Sequence, residues 1–99
     1  MPVTEEVIKK IADNTGVSVD ELTASGLLAL LREKRRKVMM DRLGVLDRYN
    51  LTSREEFEGK IKHGDIPEHP AWEDLIFLEN LDSALAQIDE DIRAIQKDS

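Results

Sequence analysis

The sequence predicts an all-α protein in which two long, coiled-coil-like helices form an antiparallel hairpin, with short helices at the N-terminus and in the connector. Three observations predict this fold class. The last third of the chain carries apolar residues at alternating steps of three and four, the heptad pattern of a helix that lies against another helix. A second such pattern lies in mid-chain. The composition agrees, because 35% of the residues are charged and only 4% are aromatic.

The pattern in the last third, which we call the C-terminal seam, has acidic flanks. Asp82, Asp89 and Asp91 lie beside it, and Asp98 follows further along. Coiled coils select partners through such flanking charges, and a self-pair would place aspartates against aspartates. The seam therefore favours a basic helix as its partner. Its members are Leu78, Leu81, Leu85, Ile88, Ile92 and Ile95.

The chain contains a basic helix of the required kind in its middle. Residues 32–54 hold eight basic and three acidic residues, a net charge of +5, whereas residues 55–99 hold four basic and thirteen acidic residues, a net charge of −9. We predict that the two seams pack together, and the pattern fits both an intramolecular hairpin and an exchange between two chains. The mid-chain seam consists of Leu28, Leu31, Arg35, Val38, Arg42, Val45 and Tyr49.

Arginine replaces an apolar residue of the mid-chain seam at positions 35 and 42. One interpretation is that both side chains lay their methylene groups on the seam and hold the guanidinium at its edge. The sharper hypothesis is that Arg35 and Arg42 pair with acids of the C-terminal helix and thereby fix the register of the hairpin. The candidate acids are Asp74, Asp82 and Asp89.

Residues that cap or stop helices divide the chain into elements. They are Thr4 and Gly16 for the first helix, Ser18 for the second, Ser53 and Gly64 for the third, and Pro70 for the last. Gly26 weakens the second helix by ~1 kcal/mol relative to Ala, with a kink at Ser25-Gly26 as the alternative to a continuous helix. We predict one helical domain over 1–99, with a short helix in 1–16, a long helix over 18–50, a connector over 51–70 and a C-terminal helix over 71–97.

Trp72 is the only tryptophan and lies at the head of the final helix. We expect it to anchor the connector against the long helix, together with Phe57 and Tyr49. An exposed Trp72 would instead mark a partner site, because tryptophan is enriched where partners bind tightly.

Several classes of function are disfavoured by what the sequence lacks. Without cysteine, thiol catalysis and Cys-ligated zinc are excluded. The longest apolar run, 27–31, is too short to cross a membrane, and the first 13 residues lack the apolar stretch of a signal peptide, so we expect a cytoplasmic protein. Since no Ser–His–acid arrangement or Gly-rich phosphate loop is present, we expect neither an enzyme nor a cofactor.

Two local clusters provide alternatives to a protein-binding function. The basic run contributes Arg32, Lys34, Arg36 and Lys37 as phosphate contacts of a small DNA-associated regulator. No aromatic residue is interleaved with them, and the chain is acidic as a whole, which disfavours nucleic acid as the partner. The second cluster, in the 63–73 connector region, carries ligand chemistry for a metal ion but lacks helical spacing; its members are His63, Asp65, Glu68, His69 and Glu73.

Residues 45–82 resemble small helical proteins of archaea and bacteria, some of them antitoxin-like partners in toxin–antitoxin pairs. In those proteins a helix ends in a "kYg" phrase, a short "s.eEf...i..G" helix follows, and an acidic-aromatic segment opens the last helix. Asn50 stands where such proteins often have glycine. The matching segments here are 45–49, 51–57, 60–64, 69–74 and 78–81. The resemblance implies a helical interaction protein.

These observations together favour a non-enzymatic protein–protein interaction module, antitoxin-like or regulatory, from a prokaryote. We expect a homo-oligomer, most simply a dimer, because a chain of this length that forms long helices builds a thin core by itself.

Overall fold

The computed structural model describes residues 2–97, which form four helices and no strand. Asp98, one of the predicted flanking acids, lies outside this range. The two long helices lie side by side in a hairpin of 61 × 29 × 18 Å, and the helix between them packs on the last one. This arrangement confirms the predicted all-α hairpin. The helices are α1 (Glu5–Thr15), α2 (Val19–Arg48), α3 (Arg54–Lys62) and α4 (Glu68–Lys97).

Side-chain caps define the start of the first three helices. The hydroxyl of Thr4 accepts from the backbone N–H of Val7, and the hydroxyl groups of Ser18 and Ser53 each accept, at 3.1 Å, from the N–H three residues on. Each contact satisfies a backbone donor that the helix itself leaves free. α1 ends at Gly16, whose φ of 72° lies in the left-handed region that glycine adopts without steric cost.

The two long helices differ slightly from the predicted ranges. α2 continues through Gly26 and ends at Arg48, two residues before the predicted limit. In α4 the backbone of His69 is extended, with φ −110° and ψ 131°, so the uninterrupted helix begins at Pro70. The ring of a proline disfavours helical geometry in the residue before it and suits the first helical position.

The hydrophobic core is confined to the connector end of the hairpin, where α2, α3 and α4 meet. The ring of the fully buried Phe57 lies 4.6 Å, centroid to centroid, from the ring of Tyr49, which packs against the core from its margin. Three elements cover one another here, so side chains are enclosed from several directions. The buried residues are Val45, Leu46, Leu51, Phe57, Ile61, Ala71, Leu75 and Leu78.

Away from the connector, and apart from α1 on α2, the two long helices pack only against each other within residues 2–97. Leu78 and Leu81 of the C-terminal seam are buried, whereas Leu85, Ile88, Ile92 and Ile95 are only partly buried. α1 packs on the start of α2 and buries a single residue of its own, Ala12. Both seams therefore face each other as a hairpin requires, but most of their length is covered from one side only.

The expected packing role of Trp72 is wrong. Its side chain is 45% exposed and lies outside the core that contains Phe57. One residue advances an α-helix by about 100°, so Trp72 points well away from its buried neighbour Ala71. Ala71 and Leu75 occupy the inward positions instead.

A leucine truncation tests the location of the core. We expect Leu78→Ala to lower the free energy of unfolding by about 2–5 kcal/mol, because it empties a fully buried position. Urea unfolding followed by circular dichroism measures this change. The matched control is Leu43→Ala on the exposed outer side of α2, which should alter stability by no more than about 0.5 kcal/mol. Equal losses in both variants would contradict a core confined to the connector end.

Candidate functional site

Among the described residues, three side-chain hydrogen bonds join α2 and its C-cap residue, Tyr49, to α4, and we call them the polar ladder. Arg35 Nε donates to Asp89 Oδ1 at 2.7 Å, and Arg42 Nε donates to Asp82 Oδ1 at the same distance. At the connector end the Tyr49 hydroxyl donates to Asp74. The α2 members lie seven residues apart, as do Asp82 and Asp89, so successive contacts recur every two helical turns.

The structure therefore places both seam arginines against acids of α4, at the lateral edge of the seam. The Arg42–Asp82 pair is the more enclosed, and Asp82 also has Arg54 Nε of α3 at 3.9 Å. The Arg35–Asp89 pair is more open to solvent. The pairing provides the contacts that the register hypothesis requires, and the effect on register remains a prediction.

The ladder shifts the pKa values of some of its members. The hydrogen bond from Arg35 lowers the pKa of Asp89, and the same contact raises the pKa of Arg35. Burial raises the pKa of the Tyr49 hydroxyl, and its hydrogen bond to the negatively charged Asp74 raises it further. These shifts favour the charged arginine–aspartate pair and the neutral phenol, the forms that make the contacts.

The basic run does not form one positive face. Lys34 and Lys37 line a depression between α2 and α4 on one side of the hairpin, whereas Arg32 and Arg36 line another depression beside Met39 and Met40. Arg36 is also engaged within its own helix, where Nη2 lies 2.8 Å from Glu33 Oε1 and lowers the pKa of that carboxyl group. The predicted phosphate contacts are therefore divided between two sides.

The polar cluster of the connector is dispersed. His69 Nδ1 lies 3.2 Å from Glu73 Oε1, both exposed, and these two residues are one turn apart. His63 follows the last residue of α3 as its C-cap. Within residues 2–97, no three histidine or acidic side chains come together in a group that could hold a metal ion.

Lys34 and Lys37 lie beside a depression between α2 and α4, and we call this depression, together with the residues that extend its face along each helix, the open groove. On α2 it contains Leu27, Leu31, Lys34 and Val38, and on α4 it contains Phe77, Leu81, Ala84 and Ile88. Each set follows steps of four, three and four, so its members share one face of their helix. Between Val38 and Ile88 the groove has a depression of about 540 Å³.

Large apolar side chains of the open groove are in contact with solvent. Leu27 is 48% exposed on α2, and Phe77 is 43% exposed on α4. Sequence reasoning assigned one seam to each helix and missed Phe77. The signal that would have found it is the row of apolar residues from Phe77 through Leu81 and Ala84 to Ile88, which runs beside the seam.

A family model, described as the uncharacterized protein MJ0235 family, matches residues 1–99 of the chain. The chain belongs to the MJ0235 family. No curated protein and no solved structure matches it. In this MJ0235-family chain, no helix within the described range is long and apolar enough to cross a membrane. The family description assigns no activity, so the function has to be inferred from the polar ladder and the open groove.

Replacing both ladder arginines tests whether they specify the register. In Arg35→Leu/Arg42→Leu we expect a melting temperature lower by several degrees, because Asp89 and Asp82 each lose the hydrogen bond from their arginine. Thermal unfolding and light scattering are the measurements. Arg36→Leu is the control, since Arg36 pairs within α2. An unchanged melting temperature together with an unchanged oligomeric state would rule out the register role.

The single tyrosine provides a pH test of the ladder. Because folding raises the pKa of Tyr49, its contribution to stability is complete below the ordinary value of about 10 and is lost as the pH rises through the folded-state pKa. Ultraviolet absorbance of the phenolate should show a higher midpoint in the folded protein than in urea. Asp74→Asn should lower that midpoint without removing the part due to burial, whereas Asp13→Asn, on α1, should leave it unchanged. A folded midpoint equal to the unfolded one would contradict this environment.

Proposed function

We propose that this member of the MJ0235 family is a non-enzymatic protein–protein interaction module that binds another polypeptide chain in the open groove. The observation that carries the proposal is the depression of about 540 Å³ that Val38, Ala84 and Ile88 line between the long helices, with exposed Leu27 and Phe77 further along the same faces of α2 and α4. Exposed apolar surface in a depression of this kind is typical of protein-binding sites.

The uneven burial of the seams supports the same function. Ile88, Ile92 and Ile95 are partly buried, so each has a packing partner on α2 and a free side. Covering that side with another helix would remove more apolar surface from water and stabilise the complex. The connector end, which already has its third helix, needs no such addition.

The antitoxin-like or regulatory role is the finer part of the proposal. It is supported by the resemblance of residues 45–82 to antitoxin-like helical proteins. A cytoplasmic location belongs to the proposal as well.

The geometry favours a protein partner over the two alternatives. A DNA-associated regulator would need Arg32, Lys34, Arg36 and Lys37 on one face, and they are divided between two. A metal site at the connector would need converging ligands, and within residues 2–97 no such group is present. Binding of a protein in the open groove requires neither a basic face nor converging metal ligands, since the groove offers apolar contact area with charged residues at its rim.

Site-specific photocrosslinking in cells of the native host tests the proposed function. A photoreactive residue at Leu30, which is 54% exposed at the rim of the groove, should yield cross-linked species of discrete mass. The matched control places the same residue at Leu43, an exposed leucine on the opposite side of α2. No adduct from Leu30, or the same adducts from both positions, would refute binding in the groove.

A further inference from the structure

We propose that the occupant of the open groove is a second copy of this chain, and that two hairpins form a symmetric four-helix bundle in which α2 of each copy lies on α4 of the other. The inference rests on the proposed function, because it names the partner that binds in the same groove. It goes further in specifying the partner, the symmetry and the residue pairs at the interface.

The shape of the open groove fits a second copy of this chain. Two long antiparallel helices with a continuous apolar side are one half of a four-helix bundle, and a second, similar half completes its core. From the depression between Val38 and Ile88, the groove residues of α2 extend to Leu27 toward the open end of the hairpin, and those of α4 extend to Phe77 toward the connector end. A partner that matches it must be long, helical and apolar on one side, and this chain has such a side itself.

The charges at the two rims of the groove fit the same partner. The α2 rim carries Lys34 and Lys37, both exposed. Across the groove, the α4 rim carries Gln87 and Asp91, which are joined by a hydrogen bond of 3.1 Å from Gln87 Nε2 to Asp91 Oδ1. Within residues 2–97, neither Lys34 nor Asp91 takes part in a salt bridge. At the height of Lys34, the α2 rim is therefore basic and the α4 rim carries a carboxylate, whereas exposed Asp41 lies two turns further along the α2 rim.

The polar ladder fixes the relative height of these rims. Arg35 contacts Asp89, so Lys34 and Asp91 lie on the same side of that contact along the hairpin axis and differ in height by about 1.5 Å. Rotation by 180° about an axis parallel to the helices preserves height and places α2 of one copy over α4 of the other. Lys34 of each copy then lies opposite Asp91 of its partner, and the pair occurs twice.

A two-fold axis that runs across the helices would give a different dimer. It would lay α2 on α2 and α4 on α4. The second contact joins two copies of α4, and residues 68–97 hold eight acidic and only two basic residues. Like charges at an interface oppose association, whereas the parallel axis brings the basic helix of one copy to the acidic helix of the other. The charge pattern therefore selects the parallel axis.

Charge exchange tests the proposal in the intact protein. By light scattering across a dilution series, the wild type should reach twice the 11.3 kDa mass of one chain. Lys34→Glu and Asp91→Lys should each weaken the dimer by about tenfold, because either change converts two attractive pairs into repulsive ones. The double variant Lys34→Glu/Asp91→Lys restores opposite charges and should recover the wild-type dissociation constant. Circular dichroism verifies that each variant keeps its helical content.

A neutral substitution tests the groove independently of charge. Ala84→Gln places a longer polar side chain inside the groove and should abolish the dimer, whereas Ala86→Gln, on an exposed alanine of the same helix, should leave it intact. Glutamine is a good helix former, so neither change disturbs α4 itself.

Three results would overturn the inference. A wild type that remains monomeric at every concentration excludes the dimer. If adding Asp41→Lys, and not Asp91→Lys, restores the dimer of the Lys34→Glu variant, then α2 lies on α2 of the other copy. Equal effects of the two alanine variants show that the interface lies elsewhere. A monomeric wild type whose Leu30 photoadduct contains a different protein refutes the second copy and leaves the proposed function standing, whereas the absence of any adduct refutes the proposed function.

Discussion

The register of α2 against α4 is the constraint on which the other features of the hairpin depend. Leucine and isoleucine recur at heptad steps along the C-terminal seam, so apolar contact alone tolerates a shift of one heptad. We predict that the polar ladder distinguishes the registers, because such a shift still leaves one arginine opposite an aspartate but breaks the contact between Tyr49 and Asp74. Under this hypothesis, directional polar contacts add to the seam the information that its apolar residues lack.

The sequence predicted the features that arise from local or periodic physics. Ser18 and Ser53 cap helices because a hydroxyl group needs only the N–H three residues on. The hairpin followed from two complementary heptad seams, and Asp82 and Asp89 were candidate partners for the arginines because they flank one of those seams. None of these inferences required knowledge of a distant contact, apart from the assumption that the two seams meet.

The sequence did not predict the exposure of Trp72 and Phe77. That exposure depends on which side of each helix is covered by a third element. Trp72 is an apolar residue beside a core position, and its exposure follows from where α3 packs, on the side of α4 that carries Leu75 rather than the side that carries Trp72. Phe77 is exposed for a related reason, since no described element lies over the open groove. A heptad pattern shows which face of a helix makes the main contact. Whether the apolar residues beside that face are buried or exposed depends on where the neighbouring helices pack.

The mid-chain basic residues are arginine in the polar ladder and lysine at the rim of the open groove, and each residue type suits its contact. Arg35 and Arg42 make the part-buried ladder contacts, where the rigid guanidinium donates a directed hydrogen bond and keeps its charge. Lys34 and Lys37 lie at the exposed rim of the groove, where a flexible, well-hydrated ammonium suits a contact that forms and dissociates. In the proposed dimer the same short segment would hold the hairpin together on one side and select its partner on another. The helical period makes this possible, because residues 34 and 35 point about 100° apart and so face different neighbours.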